Sequence, residues 1–239
     1  MVNKNKKKNI STIIILAIVL LVPGFLYVAL HKVGSNEYVR LPIYGNKELS
    51  GKMNRKMGRE IADTTYHTVQ PVQLLDSTGN LVTVFDKDSL ITVVHLFYSK
   101  DAGLSKTLLS NFRNVSDRFA YNNKIKFYSL SIDSLDGVAE IKDTYDTYVA
   151  NSNPNWQILG SNKGFISYVH DNLLIDAFQS PDDSAKFVFG NNFILLDSEN
   201  RIRGFYDINL KIDIDRLEDE IKVQMVEEIR NNPLKIQKK

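Results

Sequence analysis

Two stretches of the 239-residue chain decide the fold: residues 91–98 read ITVVHLFY, and residues 125–132 read IKFYSLSI. Both are β-branched or aromatic and nearly continuous in hydrophobicity, a pattern typical of strands that are covered on both faces. Between them, apolar residues recur at helical spacing and predict a helix over about 103–120: Leu104, Leu108, Phe112, Val115 and Phe119. Strand, helix and strand of these lengths predict a parallel crossover unit.

The segments on either side complete an α/β domain. Residues 69–75 and 81–85 predict two short strands around a turn, and residues 192–197 and 202–206 predict a second hairpin. Further helices are predicted around 138–149, across 161–173, and at the C-terminal end, where Ile214, Leu217, Ile221 and Met225 share one face. This order predicts a thioredoxin-like fold, with a central mixed sheet and flanking helices.

The N-terminus predicts a membrane anchor. Residues 13–30 carry no charge and approach the length that crosses a bilayer, about 20 residues. They follow a basic cluster formed by Lys4, Lys6, Lys7 and Lys8. The positive-inside rule places this cluster in the cytoplasm, so the protein is expected to span the inner (cytoplasmic) membrane once, with an extracytoplasmic, periplasmic domain. A cleaved signal peptide is the alternative, but cutting after Ala29 would put Tyr27 where a small residue belongs.

Four regions follow from this pattern. We expect a basic tail and transmembrane anchor over 1–32, a polar linker over 33–63, the thioredoxin-like domain over 64–230, and a polar tail over 231–239. The linker shows no firm apolar period. The formal net charge of +2 comes from the N-terminus, because residues 33–239 carry 25 bases and 28 acids. Nothing therefore suggests the basic stripe of a nucleic-acid-binding domain.

The chain contains no cysteine. This excludes disulfides, thiolate metal sites, thiol redox couples, a cysteine nucleophile and a lipidated N-terminal cysteine. Thiol-redox catalysis is thereby ruled out. We expect that the protein is not an enzyme and that it binds no cofactor.

Four segments, in order along the chain, resemble the SCO/SenC family of membrane-anchored, thioredoxin-fold copper chaperones for cytochrome oxidase assembly. They read LPIYG at 41–45, SLSID at 129–133, NWQILG at 155–160 and FILLDSENRIRGFYD at 193–207. The segment at 41–45 resembles the stretch that leads into the domain in anchored bacterial members. The segments at 129–133, 155–160 and 193–207 resemble the family's second core strand, its tryptophan segment and its hairpin, in that order. The resemblance covers roughly residues 38–230.

The resemblance fails at the copper site that the family would imply. The positions that correspond to its two cysteines and its histidine ligand are Lys100, Leu104 and Phe189. Copper(I) prefers soft thiolates, whereas a protonated lysine repels it and Leu and Phe offer no donor atom. We therefore interpret these three residues as vestigial site positions and expect no catalytic residue, no metal ligand and no direct copper binding.

Other polar residues have ordinary interpretations. The four histidines, His31, His67, His95 and His170, show no paired ligand spacing. The acidic clusters at 133–136, 182–183 and 213–215 are expected in turns and helix caps. The aromatic residues between 121 and 168 are expected in the core and at its rim, with a partner-binding patch as the alternative.

Three hypotheses about function remain open at this point. The first is a non-catalytic binding or assembly module with an unknown protein partner. The second is copper-linked cytochrome oxidase assembly through non-family ligands or a partner's thiols. The third is an enzyme unrelated to thiols, with Lys100 as an electrostatic contact in the same cleft.

Overall fold

The computed structural model describes residues 4–33, 40–56, 59–87, 90–101, 103–181 and 187–231. The chain divides into two compact units, Met1–Val39 and Arg40–Lys239. The first unit contains helix α1, Lys4–Val33, which includes Pro23. Within it, Ile10–Ala29 is long and apolar enough to cross a membrane.

The second unit is built on a five-stranded mixed sheet. Its strands are β5 (Ile91–Phe97), β6 (Ile125–Ser131), β7 (Trp156–Leu159), β10 (Asn192–Leu196) and β11 (Ile202–Asp207). Their order in the sheet is β11-β10-β5-β6-β7. Strands β5, β6 and β7 are parallel, whereas β10 is antiparallel to both β5 and β11. Every residue of β5 is buried, as its continuous apolar pattern predicts.

The principal helices are α2 (Leu104–Arg118), α3 (Val138–Tyr148) and α5 (Lys211–Asn231). Helix α2 buries Leu108, Phe112 and Val115, and Phe112 packs against the rings of Trp156 and Phe193. The predicted thioredoxin-like α/β architecture, with an antiparallel hairpin added to parallel core strands, is confirmed.

The predicted third helix, over 161–173, is shorter and less regular. A single helical turn, α4 (Phe165–Tyr168), continues into a π-helical segment, Val169–Leu173. Asn172 lies in this segment, where its side chain accepts a hydrogen bond from Gln70 N at 3.2 Å and its carbonyl contacts His67 Nε2 at 2.8 Å. These contacts with a distant part of the chain hold a geometry that helical periodicity does not indicate.

Three small hairpins surround the main sheet. Strands β3 (Val72–Leu75) and β4 (Leu81–Val84) match the predicted pair. Strands β8 (Ala177–Gln179) and β9 (Phe187–Phe189) form a hairpin that the sequence analysis did not predict. The third hairpin, β1 (Lys47–Lys56) with β2 (Arg59–Tyr66), lies within and just beyond the stretch interpreted as a polar linker. Leu49 and Met53 of β1 are exposed, so the alternation that marks a half-buried strand is missing.

Candidate functional site

The candidate site lies where β5 and β6 end. The two strands run in parallel and their last registered pair is Phe97 with Ser131. The next residue, Ile132, donates its N–H to the Phe97 carbonyl at 2.9 Å. The segments that follow the strands, residues 98–101 and 132–136, therefore start side by side at one edge of the sheet. Open α/β sheets commonly bind ligands at this edge.

Lys100 forms an ion pair across this edge. Its Nζ lies 2.7 Å from Asp133 Oδ2, with the lysine side chain 52% exposed and the carboxylate 3% exposed. The hydrogen bond to Asp133 raises the pKa of Lys100, and the charges of Asp133 and Asp136 act in the same direction. The same Nζ lies 5.9 Å from the centre of the Tyr98 ring. The amine is therefore protonated and is already paired with a carboxylate.

Asp136 is the second carboxylate of the site and is buried. It accepts hydrogen bonds from Ser99 Oγ at 2.7 Å and from Ser131 Oγ at 2.5 Å. Burial raises the pKa of Asp136, although these two hydroxyl donors oppose the rise. Ser99 is thus held as a donor to a carboxylate, which is a structural arrangement rather than the serine–histidine pair of an activated nucleophile.

The start of α2 borders the site and is capped by Asp101. The Asp101 carboxylate accepts the N–H groups of Gly103 at 2.9 Å and Ser105 at 3.1 Å. A negative side chain at this position complements the helix dipole. Ser105 Oγ in turn accepts the N–H of Tyr98 at 2.9 Å, which ties the loop to the helix. Leu104, the first residue of α2, is half-buried and packs against the core.

Phe189 lies in the β8–β9 hairpin and is buried at 9% exposure as part of the hydrophobic core. The same hairpin reaches the site through Phe187, whose ring lies 5.1 Å from that of Tyr98. Lys100, Leu104 and Phe189 therefore occupy three different environments: an ion pair, a helix start and a packed hairpin. Their assignment as vestigial ligand positions stays a prediction.

Asp133 and Asp136 were expected only in turn and capping roles. Asp133 does have the turn role, since its Oδ1 accepts the N–H of Leu135 at 2.9 Å. Its pairing with Lys100 was missed, although a carboxylate following a central parallel strand is a usable signal for a site at that edge. The cluster Asp182–Asp183 lies outside the described residues.

His95 is the most buried histidine of the described part of the chain and is not available as a ligand. Its Nδ1 lies 2.9 Å from the Leu96 carbonyl and its Nε2 lies 2.7 Å from Ser129 Oγ. The same hydroxyl oxygen accepts Trp156 Nε1–H at 2.9 Å. Burial lowers the pKa of His95 to about 3, with the Leu96 hydrogen bond opposing. The ring is neutral and both nitrogens have partners.

The other described histidine side chains also have polar partners within the chain. His67 contacts the Asn172 carbonyl, and His170 lies 3.0 Å from the neighbouring Asp171 carboxylate. Among the residues that the structure describes, no three His, Asp or Glu side chains converge as a set that could hold a metal ion.

Two cavities lie beside the segments that follow β5 and β6. One, of about 330 Å³, lies on the Asp133 side and is lined in part by Leu135, Phe165 and Phe187. The other, of about 250 Å³, lies on the Ser99 side and is lined in part by Tyr98, Ser105 and Tyr148. Leu135 is 80% exposed at the rim of the first cavity. The edge thus combines satisfied polar groups with accessible apolar surface.

The fold and site define a thioredoxin-like domain that has no thiol at the edge where its strands end. A scan of the sequence against models of protein families gives no match. A search of curated proteins gives no match either.

Solved structures do match, and they include SCO proteins. A SCO1/SenC family lipoprotein from Bacillus anthracis superposes with a TM-score of 0.58 at 15% identity, covering 66% of this chain and 95% of that one. ScoI of Arabidopsis thaliana with copper bound gives 0.53 at 20% identity, with 69% and 99% covered. Yeast Sco1 gives 0.51 at 15% identity, with 65% and 98% covered. The SCO/SenC resemblance indicated by the sequence is therefore confirmed for the fold.

Proposed function

We propose that the protein is a membrane-anchored, extracytoplasmic SCO/SenC-like domain that works without catalysis, as a binding or assembly module for a protein partner. One observation carries the proposal. At the edge where the resemblance places a thiol site, a chain without cysteine has a lysine ammonium 2.7 Å from a buried carboxylate.

The ion pair is chemically opposed to copper(I) delivery. Copper(I) selects soft sulfur ligands, and exchange with a partner protein normally proceeds through thiols. Lys100 has no lone pair while protonated, and Asp133 raises its pKa further. Leu104 contributes only apolar contact. The site therefore supports recognition of a surface better than transfer of an ion or electrons.

The anchor supports an assignment to the membrane. Helix α1 contains a 20-residue apolar stretch, Ile10–Ala29, preceded by lysines. This length suits the hydrocarbon thickness of a bilayer, and the basic flank favours a cytoplasmic N-terminus. The domain of residues 40–239 would then face the periplasm.

The alternative function is copper-linked cytochrome oxidase assembly that uses non-family ligands or a partner's thiols. It is favoured by one specific finding: some of the matching structures are ScoI and Sco1 proteins with copper bound. The two functions differ in whether copper is involved at all. The alternative requires that either this chain or its partner binds the metal.

A copper(I) titration of the full chain in detergent, against a competing chelator, tests direct binding. We expect the chelator to keep all of the copper, because the chain has no cysteine. Retention of one equivalent by the protein would overturn the proposal in favour of direct copper handling.

Crosslinking in native membranes tests whether the domain binds a specific protein partner. Leu135→Glu alters the apolar rim beside Asp133, whereas Tyr121→Glu alters a fully exposed residue that follows α2, away from the strand ends that form the site. We expect one specific crosslinked protein, lost with Leu135→Glu and retained with Tyr121→Glu. Recovery of only abundant membrane proteins, or equal effects of both variants, would contradict a partner site at this edge.

A further inference from the structure

The chain that enters the domain is fixed to β11 from its first residues. Arg203, which is buried, donates from Nη2 to the Leu41 carbonyl at 2.7 Å and from Nε to the Pro42 carbonyl at 3.1 Å. Tyr44 N donates to the Ile202 carbonyl at 2.9 Å. The root of the β1–β2 hairpin, which begins at Lys47, is therefore held close to the body of the domain.

The covalent distance between this fixed point and the anchor is short. Helix α1 ends at Val33, eight residues before Leu41. Whatever its conformation, such a segment spans at most about 28 Å, at roughly 3.5 Å per residue. Strand β1 has ten residues and is about 33 Å long, at roughly 3.3 Å per residue. The length of the hairpin is therefore comparable to the greatest length of the segment that links the domain to α1.

The distal half of the hairpin is basic although the domain is acidic. Residues 52–60 contain four bases and one acid, whereas residues 33–239 carry a net charge of −3. Lys56 of β1 is the cross-strand partner of Arg59 of β2. Like charges placed directly opposite each other destabilise a strand pair, and an anionic ligand would relieve this repulsion.

Apolar residues accompany these bases. Met53 is 64% exposed and Leu49 is 75% exposed on β1. Basic residues interleaved with exposed apolar side chains are typical of segments that lie in the lipid headgroup region, where charge attracts anionic lipids and apolar groups insert.

We propose that the β1–β2 hairpin is a second membrane contact, which binds the anionic headgroups of the bilayer in which α1 is anchored. The bound hairpin would fix the orientation of the domain relative to the membrane. The segment between α1 and Leu41 would limit only the distance of the domain from the membrane. The inference rests on the membrane anchoring in the proposed function, but not on the copper or partner assignments.

The absence of native cysteine allows single-site labelling of the full chain. We would label three variants with an environment-sensitive fluorophore: Met53→Cys in the hairpin, Tyr121→Cys as the exposed control, and Leu20→Cys in the anchor. Each would be reconstituted into phosphatidylcholine vesicles with and without an equimolar amount of phosphatidylglycerol. The quencher would be a lipid with a spin label on the acyl chain, near the headgroup for the Met53 and Tyr121 labels and near the chain end for the Leu20 label, which lies at the middle of the apolar stretch.

We expect the Met53 label to be quenched several-fold more than the Tyr121 label in phosphatidylglycerol vesicles, and the two to become equal in phosphatidylcholine alone or at high salt. Adding Lys56→Glu and Arg59→Glu together should abolish the difference. This double variant keeps a like-charge cross-strand pair, so it reverses the sign of the charge with little change in hairpin stability.

The possible outcomes distinguish a failure of the hairpin contact from a failure of the membrane anchor. Quenching of Leu20 without quenching of Met53 would overturn the hairpin contact and leave the anchor intact. If neither label is quenched, both are overturned. Quenching of Met53 alone would support hairpin binding and refute the anchor. A Met53 signal that persists in the charge-reversed variant would overturn the electrostatic basis.

Discussion

The buried histidine in β5 makes a quantitative prediction about pH. His95 is fully buried and neutral, and its pKa is lowered to about 3 from an ordinary value of 6.5. As the pH falls below 6.5, the unfolded chain takes up a proton at this position and the folded chain does not. Stability is therefore lost from about pH 6.5 downward, and the loss levels off near pH 3.

The size of the effect follows from these two values. Proton linkage gives a loss of about 2 kcal/mol between pH 7 and pH 5, and of about 3 kcal/mol between pH 7 and pH 4, from His95 alone. A loss of this size would be a large fraction of the total stability of an ordinary domain, about 5–15 kcal/mol.

The His95→Gln variant isolates this contribution, because it keeps an acceptor for the Ser129 hydroxyl and removes the titrating group. Urea unfolding of the full chain can be followed by the fluorescence of Trp156, the single tryptophan, which lies in the same network. We expect the variant to be less stable than the wild type at pH 7 and to close that gap by about 3 kcal/mol at pH 4.

The matched control is His170→Gln, which removes an exposed histidine. A stability gap between wild type and His95→Gln that stays constant from pH 7 to pH 4, or that changes no more than in the control, would refute the reasoning. It would show that the folded protein accepts a proton at His95 as readily as the unfolded chain does.

Three further predictions concern charge and the candidate site. Arg203→Met should destabilise the domain by about 3–5 kcal/mol in the same assay, because it leaves the buried Glu227 without its partner, whereas Arg216→Met, at a half-exposed arginine, should cost less than about 1 kcal/mol. Lys100→Met should cost about 1 kcal/mol, with Lys100→Arg nearer to wild type, since the lysine is half-exposed and Asp133 keeps its hydrogen bond from the Leu135 N–H; a cost above that of Arg203→Met would contradict this ranking. The combined variant Lys100→Cys, Leu104→Cys and Phe189→His should acquire copper(I) binding in the chelator titration, and a folded variant that fails to bind would show that the vestigial positions are misassigned.

The central part of the fold could be predicted because burial dominates it. Strands β5 and β6 and helix α2 lie in the core, so their apolar residues follow the periods of strand and helix. The turn between β10 and β11 was also predictable from its polar residues. There Asp197 Oδ1 accepts the N–H groups of Glu199 and Arg201, and Asn200 adopts a φ of 60°.

Two of the missed elements lack the apolar periods by which strands and helices are predicted. The β1–β2 hairpin exposes Leu49 and Met53 on its first strand, so its residues show no inward and outward alternation. The π-helical segment is held by Asn172 contacts to residues about 100 positions earlier. Neither the exposed residues of the hairpin nor the long-range contacts of Asn172 leave a local pattern in the sequence.

The sequence indicated Lys100 as a residue of interest but did not indicate the carboxylate with which it pairs. Lys100 was identified from the sequence as a vestigial site position just after the strand predicted at 91–98. Its partner Asp133 lies 33 residues away. Only the parallel register of Phe97 with Ser131 brings the two together, and a sequence pattern does not fix a register to a single residue.

Under the proposed function, contacts within the chain take the place of the metal site that the SCO/SenC resemblance implies at this edge. In the family that the sequence resembles, ligands from the loop after the first core strand and from a segment before the hairpin would be joined through one copper ion. In this chain, direct contacts join the segment after β5 to the segment after β6 and to the β8–β9 hairpin. Lys100 and Ser99 bind carboxylates that follow β6, and Tyr98 packs against Phe187 of the β8–β9 hairpin.

These contacts require no ligand, so the edge is ordered before any partner arrives. A preordered surface loses less conformational entropy on binding than one that is ordered by its ligand. The exposed Leu135 beside it supplies apolar area that a partner could bury. The ion pair and the aromatic contact therefore hold in place a surface suited to binding, which is the property that the proposed function needs.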